Sequence, residues 1–339
     1  MAGSSWCDLS GAVLMPRRKI FLKIFGKILR RILLHPAGPA LTRNRATLTG
    51  FSAIILWSLL AVLTVGSAPV PPFLLNALCF GIGGTLGLVW VWRRAGFGVL
   101  RGVPWRVYAF GTAGLFGYHF LYLSALRMAP AAEAGLIAYL WPLLIVLLSG
   151  LLPGERLHPL HIIGACVAFA GAALIVLRGA AGLQVDALPG LALAFVCAVT
   201  WAVYSILSRR LGDVPTETVV VFCLATAGLS GVAHIGLETT VWPAGVWGWL
   251  SIAALGTGPV GLAFFTWDIG MKRGDIQLLG VASYAAPVLS TLALVAAGIT
   301  APTSTIAVAA GLIAGGAALA AWASRPAASA VSVTPAKGA

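Results

Sequence analysis

The sequence predicts an all-α integral membrane protein whose ten transmembrane helices form two inverted-topology five-helix repeats around a central cavity. Three observations predict it. Hydrophobic residues make up 60% of the 339 and charged residues only 9%, with a mean hydropathy of +0.97. Ten apolar runs, each long enough to cross a bilayer, follow one another with short connections. The spacing Gly-x-x-x-Tyr-x-x-Pro occurs twice, at Gly135/Tyr139/Pro142 and at Gly280/Tyr284/Pro287, 145 residues apart.

A soluble domain carries about 25% charged residues, and a chain this poor in polar groups cannot cover a water-facing surface. The net charge of +13 does not mark a nucleic-acid binder, because the basic residues sit at the ends of apolar runs and not on a soluble module. Membrane lipid and a small-molecule substrate are the expected partners. Nothing in the sequence sets an oligomeric state, and a monomer is compatible with it. The five cysteines (Cys7, Cys79, Cys166, Cys197, Cys223) are scattered, without metal-ligand spacing, and read as small buried hydrophobes.

Residues 1–45 form a cytoplasmic N-terminal segment. Within it "KIFLKIFGKILRRILL" (19–34) is basic and amphipathic, with Lys19, Lys23, Lys27 and Arg31 on one helical face. Either it lies in the interface against anionic lipid, or it is upstream sequence outside the native protein. A span needs about 20 apolar residues, and the runs satisfying this are 46–66, 71–92, 104–126, 130–151, 159–178, 189–208, 216–237, 244–267, 275–297 and 303–324. The first repeat is then 46–178, the second 189–324, and 325–339 is a cytoplasmic tail. With the N-terminus inside, all but Arg127 and Arg178 of the 22 lysines and arginines fall on the cytoplasmic side, and both termini lie there.

The duplication extends beyond the two motifs. Trp57 in "ILWSLLAV" matches Trp201 in "VTWAVYSI", and Gly171 in "GAAL" matches Gly316 in a second "GAAL", at offsets of 144 and 145. Five spans per copy is an odd number, so the second copy enters from the opposite face. That is the inverted repeat of alternating-access carriers. On a helix each motif's glycine, tyrosine and proline form one stripe. Glycine admits a neighbouring backbone, and proline removes a donor and bends the helix. Gly135, Pro142, Gly280 and Pro287 are therefore expected as kinks and hinges. The motifs serve either helix packing or a cavity lining, and the mid-span position of Tyr139 and Tyr284 favours the lining.

Polar and aromatic groups inside spans supply the remaining candidates. The third span holds Tyr118, His119 and Tyr122, the fourth Trp141, the sixth Trp201, Tyr204, Ser205 and Ser208, and the ninth Ser283. A lining of tyrosine and tryptophan suits a flat, partly polar solute. His119 has three readings: a bond to a substrate carboxylate, a proton carrier, or a bond to a neighbouring helix. Glu133 and Arg127 are expected to form an exterior ion pair, with substrate gating as the alternative reading. Asp268, Lys272, Arg273 and Asp275 read as a solvated charge run. "HPLH" (158–161) lacks further metal ligands, and no Gly-x-Ser-x-Gly, Walker or dinucleotide fingerprint occurs. The chain is expected to be no enzyme and to need no cofactor.

Ten spans in inverted halves, with "PGERL" (153–157) after the fourth, resemble the drug/metabolite transporter superfamily and its EamA-type exporters. Within it, "ATLTGFSAIILWS" (46–58) and "AYLWP" (138–142) are similar to the aromatic amino acid exporters of Gram-negative bacteria. The resemblance covers about 43–325. It implies a bacterial inner-membrane carrier that exports aromatic and other neutral amino acids and related metabolites, with a cavity at Trp57, Tyr118, His119, Tyr122, Tyr139, Trp141, Trp201, Tyr284 and Pro287. Export of cationic drugs or other small metabolites on the same fold is the alternative. Few carboxylates lie in span interiors, so proton coupling and facilitated export stay open.

Overall fold

The computed structural model describes residues 41–177, 185–211, 213–243, 245–299 and 301–324. The basic segment up to residue 40 and the tail from 325 lie outside them. The described residues are helical, without a strand, and form ten long helical segments. They are α1 (Arg43–Gly66), α2 (Pro72–Arg94), α3 (Trp105–Met128), α4 (Ala131–Ser149), α5 (Pro159–Val176), α6 (Val185–Arg210), α7 (Thr216–Leu237), α8 (Val246–Arg273), α9 (Ile276–Ala296) and α10 (Ser304–Ala323). Nine of these are long and apolar enough to cross a membrane. The other is α3, which is diluted by its tyrosines, glycines, histidine and Arg127; it is 24 residues long and packs along α6 within the same bundle. The chain is a multi-pass membrane protein.

The packing of the helices carries the symmetry foreshadowed by the repeated motif. The most extensive helix pairs are α5 with α10, α2 with α7, α3 with α6, and α1 with α8. Exchanging each helix for the one five places away leaves this set unchanged. Consecutive helices joined by short connections alternate in direction, so members of an exchanged pair run oppositely, as a twofold axis in the membrane plane requires. The α5–α10 crossing displays this residue by residue. A Cβ on Gly164 would stand 2.5 Å from the Gly316 carbonyl oxygen, and one on Gly171 would stand 2.9 Å from that of Ala309. The number rises along one helix as it falls along the other, so the two are antiparallel. Gly164 with Gly316 also maps onto Ala309 with Gly171 at the 145-residue offset. Small residues let these backbones touch where apolar side chains give no net driving force against lipid.

Pro142 and Pro287 each interrupt their helix. Helix α4 divides into Ala131–Ala138 and Trp141–Ser149, and α9 into Ile276–Ala282 and Ala285–Ala296. Both breaks fall at the motif tyrosine, one turn before the proline, where the missing N–H frees a carbonyl. Helix α8 is irregular as well, with a π-helical turn at Gly258–Leu262 that contains Pro259.

The two ends of the bundle differ. At one end Glu155, from the α4–α5 connection, pairs with Arg209 at the end of α6 and lies 3.5 Å from Arg43 at the start of α1. Arg43 is also 3.3 Å from Asp275, which accepts from the Leu278 N–H at the start of α9. Arg209 donates to the Gly274 and Met271 carbonyls at 2.8 and 3.1 Å. This network corrects the reading of Asp268 to Asp275 as a solvated run. Asp268 and Asp275 are buried, and Asp268 holds Lys272 at 2.9 Å and accepts from Thr216 at 2.7 Å. Only Arg273 among the four is exposed. At the opposite end Glu238 accepts from the Phe73 and Leu74 N–H groups, placing a carboxylate on the positive end of α2. The expected Arg127–Glu133 pair does not form. Arg127 donates to the Leu237 carbonyl, while Glu133 is buried with both oxygens unpartnered.

The α5–α10 contact leaves no room for a side chain at its centre. Gly316→Val is expected to abolish monodisperse protein on gel filtration in detergent. Gly315→Ala, whose Cβ meets nothing within 4 Å, should leave both elution and Tm unchanged to within about 1 kcal/mol of stability.

Candidate binding site

The centre of the bundle is an aromatic cluster built where the repeats meet. Trp57 and Trp201, equivalent in the two copies, lie against each other with ring centroids 6.0 Å apart and planes at 72°. Trp141 stands edge-on to both, at 6.3 Å from each. Tyr118 lies 5.1 Å from Trp201 and Tyr204 lies 5.2 Å from it. Tyr122 stacks on Tyr118 at 6.2 Å, and His119 meets Tyr118 at 5.2 Å and Phe80 at 4.9 Å. Edge-to-face packing of this kind contributes about 0.5–1.5 kcal/mol per pair beyond area burial. Tyr139, at the α4 break, borders the Tyr118 and Tyr122 side.

Eight of the sequence candidates, Tyr204 among them, thus come together by direct ring contact or immediate neighbourhood. Trp57, Tyr118, His119, Tyr122 and Tyr139 are half-buried, whereas Trp141, Trp201 and Tyr204 are buried. The half-buried group keeps accessible surface around the midpoint of the helices, away from the bundle's ends.

Two candidates stand elsewhere. Tyr284 is fully buried in a different core, among Val146, Ala168, Ala172 and Ile313, with Phe169 edge-on at 5.8 Å. Its hydroxyl accepts from the Leu143 N–H at 3.1 Å, where the break in α4 leaves that amide without its usual helical partner. Ser283 is sealed too and turns its hydroxyl back to the Leu279 carbonyl. Gly280 packs against Val146, and Pro287 is buried nearby. The physical reason is the register of α9. Its motif stripe faces α4, α5 and α10, and the aromatic centre is reached from α8 instead.

Sequence reasoning missed that α8 contribution. Phe264 lies 6.0 Å from Trp57, 5.8 Å from Trp201 and 5.8 Å from His119. Trp267 lies 5.1 Å from Trp57 and 5.7 Å from Trp141, and its indole N–H donates to Ser205 at 3.2 Å. Trp57 in turn donates to the Pro259 carbonyl at 3.1 Å, within the π-helical turn. The signal available was "GTGPVGLAFFTW" (256–267), where two glycines flank a proline one turn before a run of aromatics. The histidines of "HPLH" cap α5: His158 accepts from the Leu160 N–H, and His161 accepts from the His158 N–H. Among the described residues no cluster of His, Cys, Asp and Glu is arranged to hold a metal ion.

A family model described as the EamA-like transporter family matches residues 44–177 and, a second time, 188–322. The chain is 57% identical over 283 residues to the aromatic amino acid exporter YddG of Ancylobacter novellus, an alignment spanning 83% of this chain and 98% of that protein. Exporters of the same name from Escherichia coli and Salmonella typhimurium are 29% identical, across 78% and 74% of this chain and 92% and 88% of theirs. A crystal structure with 57% sequence identity superposes with a TM-score of 0.80, covering 84% of this chain and all of that one.

The two motif tyrosines should respond differently to losing their hydroxyls. Tyr284→Phe removes the acceptor of the Leu143 amide and is expected to cost about 1 kcal/mol, seen as a lower Tm in detergent. Tyr139 has no hydrogen-bond partner among the described residues, so Tyr139→Phe should leave Tm in place.

Proposed function

Because the chain belongs to the EamA-like transporter family, we propose that it exports aromatic and other neutral amino acids across the bacterial inner membrane by alternating access. The observation that carries this reading is the central cluster. It is aromatic, half-buried at mid-height, shared between the two repeats, and free of Asp, Glu, Lys and Arg. Rings offer stacking surface to a planar side chain, and neutral polar tips suit a solute without net charge. The exporter activity of the 57% identical relative agrees with it. A cationic drug wants a carboxylate, and Glu133 is sealed away from solvent.

The bias of the basic residues supports an orientation with both termini and the Glu155–Arg209–Arg43–Asp275 network on the cytoplasmic side. The network ties two segments of each repeat together at that end. Gly135, Gly280 and the broken halves of α4 and α9 supply the joints.

Purified protein in liposomes is expected to move labelled phenylalanine or tryptophan down a gradient. Trp201→Ala, which removes ring contacts worth about 1 kcal/mol each, should lower that flux about tenfold. Unchanged flux in Trp57→Ala, Trp141→Ala and Trp201→Ala alike rules the cluster out as the binding site. Better competition by a quaternary ammonium dye than by amino acids rules out the cargo. Glu155→Gln should raise labelling of a cysteine placed among the cytoplasmic-facing residues of α6 by a thiol reagent applied from that side.

A further inference from the structure

We infer that the cluster recognises an amino acid as a zwitterion using neutral groups of opposite polarity: His119 Nε2 accepts from the substrate's ammonium, and open hydroxyl and indole donors serve its carboxylate. This rests on the amino acid reading above and assigns the chemistry within it.

The tautomer of His119 carries the argument. Its Nδ1 lies 2.8 Å from the Leu115 carbonyl oxygen, one turn earlier on α3. A carbonyl only accepts, so Nδ1 holds the proton and the neutral ring presents a lone pair at Nε2. Among the described residues nothing donates to that nitrogen, and unlike the oxygens of Glu133 it is not sealed. The imidazole is therefore an acceptor in search of a donor. It stands beside Phe80, Tyr118 and Phe264, whose rings suit a cation arriving at Nε2. A bond from His119 to a carboxylate, one of the readings open from sequence, would put two acceptors face to face.

The neighbouring polar tips have the opposite character. An indole N–H can only donate. Trp57 and Trp267 have spent theirs on Pro259 and Ser205. Those of Trp141 and Trp201 have no partner among the described residues, nor have the hydroxyls of Tyr118, Tyr122 and Tyr139, and none of these atoms is sealed. A ring nitrogen that can only accept, beside indoles that can only donate and hydroxyls free to donate, complements one ammonium beside one carboxylate.

The test is binding to the full-length protein in detergent, read as displacement of labelled phenylalanine by three ligands: phenylalanine, phenethylamine without the carboxylate, and 3-phenylpropionate without the ammonium. His119→Leu is expected to weaken phenylalanine and phenethylamine about tenfold and to leave 3-phenylpropionate unchanged. His119→Gln, whose amide oxygen restores an acceptor, should recover part of the loss. Tyr139→Phe should do the reverse, weakening phenylalanine and 3-phenylpropionate and sparing phenethylamine. Equal losses for all three ligands in the His119 variants overturn the assignment, as does unchanged phenylalanine binding in His119→Leu. If wild-type protein binds no labelled phenylalanine, the amino acid reading itself fails, a result separable from a failed polarity assignment.

Discussion

An amide stripped of its helical partner inside hydrocarbon costs several kcal/mol unless something nearby replaces the lost bond. The architecture turns on how that demand is met at the two proline-broken helices. At the α4 break the Leu143 N–H is taken by Tyr284 from the other repeat. A local defect in one half is thus repaired by a side chain of the other. The repair pins α9 to α4 and holds Tyr284 among the small residues of α5 and α10. The same logic explains the π-helical turn of α8, where the Pro259 carbonyl binds the Trp57 indole and fixes that ring at the centre.

Two copies of one motif therefore occupy unlike states. Tyr284 is sealed and bonded, while Tyr139 is half-buried with its hydroxyl free of any partner among the described residues. The ion network repeats the asymmetry at a larger scale. The positions matching Arg43, Arg209 and Asp275 in the other repeat are Ala187, Val65 and Pro130, none of which carries a charge. Symmetric packing at α5–α10, with glycine contacts that map onto one another, lies beside asymmetric fastening at α4–α9 and at the ends. A pair of repeats that share an architecture but differ in conformation is the arrangement that alternating access exploits.

Much of this was legible in the sequence because hydrocarbon leaves few options. Apolar length gave the ten helices to within a few residues, since a span must match a fixed thickness, except that α8 runs on from the expected end at 267 to Arg273. The Trp57/Trp201 pair was legible because equivalent residues near a twofold axis meet each other. Tyr284 was misplaced because a mid-span tyrosine shows its depth but not which way its helix faces, and α9 turns its motif stripe toward α5 and α10. Phe264 and Trp267 were missed for a related reason, because the π-helical turn shifts the face that the rest of α8 presents. Asp268 and Asp275 were read as solvated because charge at a span's end usually is. Their partners, Thr216 and Arg43, come from distant segments that no local pattern reveals.

The central cluster contains no formal charge, and its proposed cargo carries equal and opposite ones. A charge crossing the bilayer exchanges about 2.3 kcal/mol with every 100 mV of membrane potential. With the proposed zwitterion bound, the cluster itself sums to zero, so the membrane voltage acts on neither its side chains nor the net charge of the solute held there.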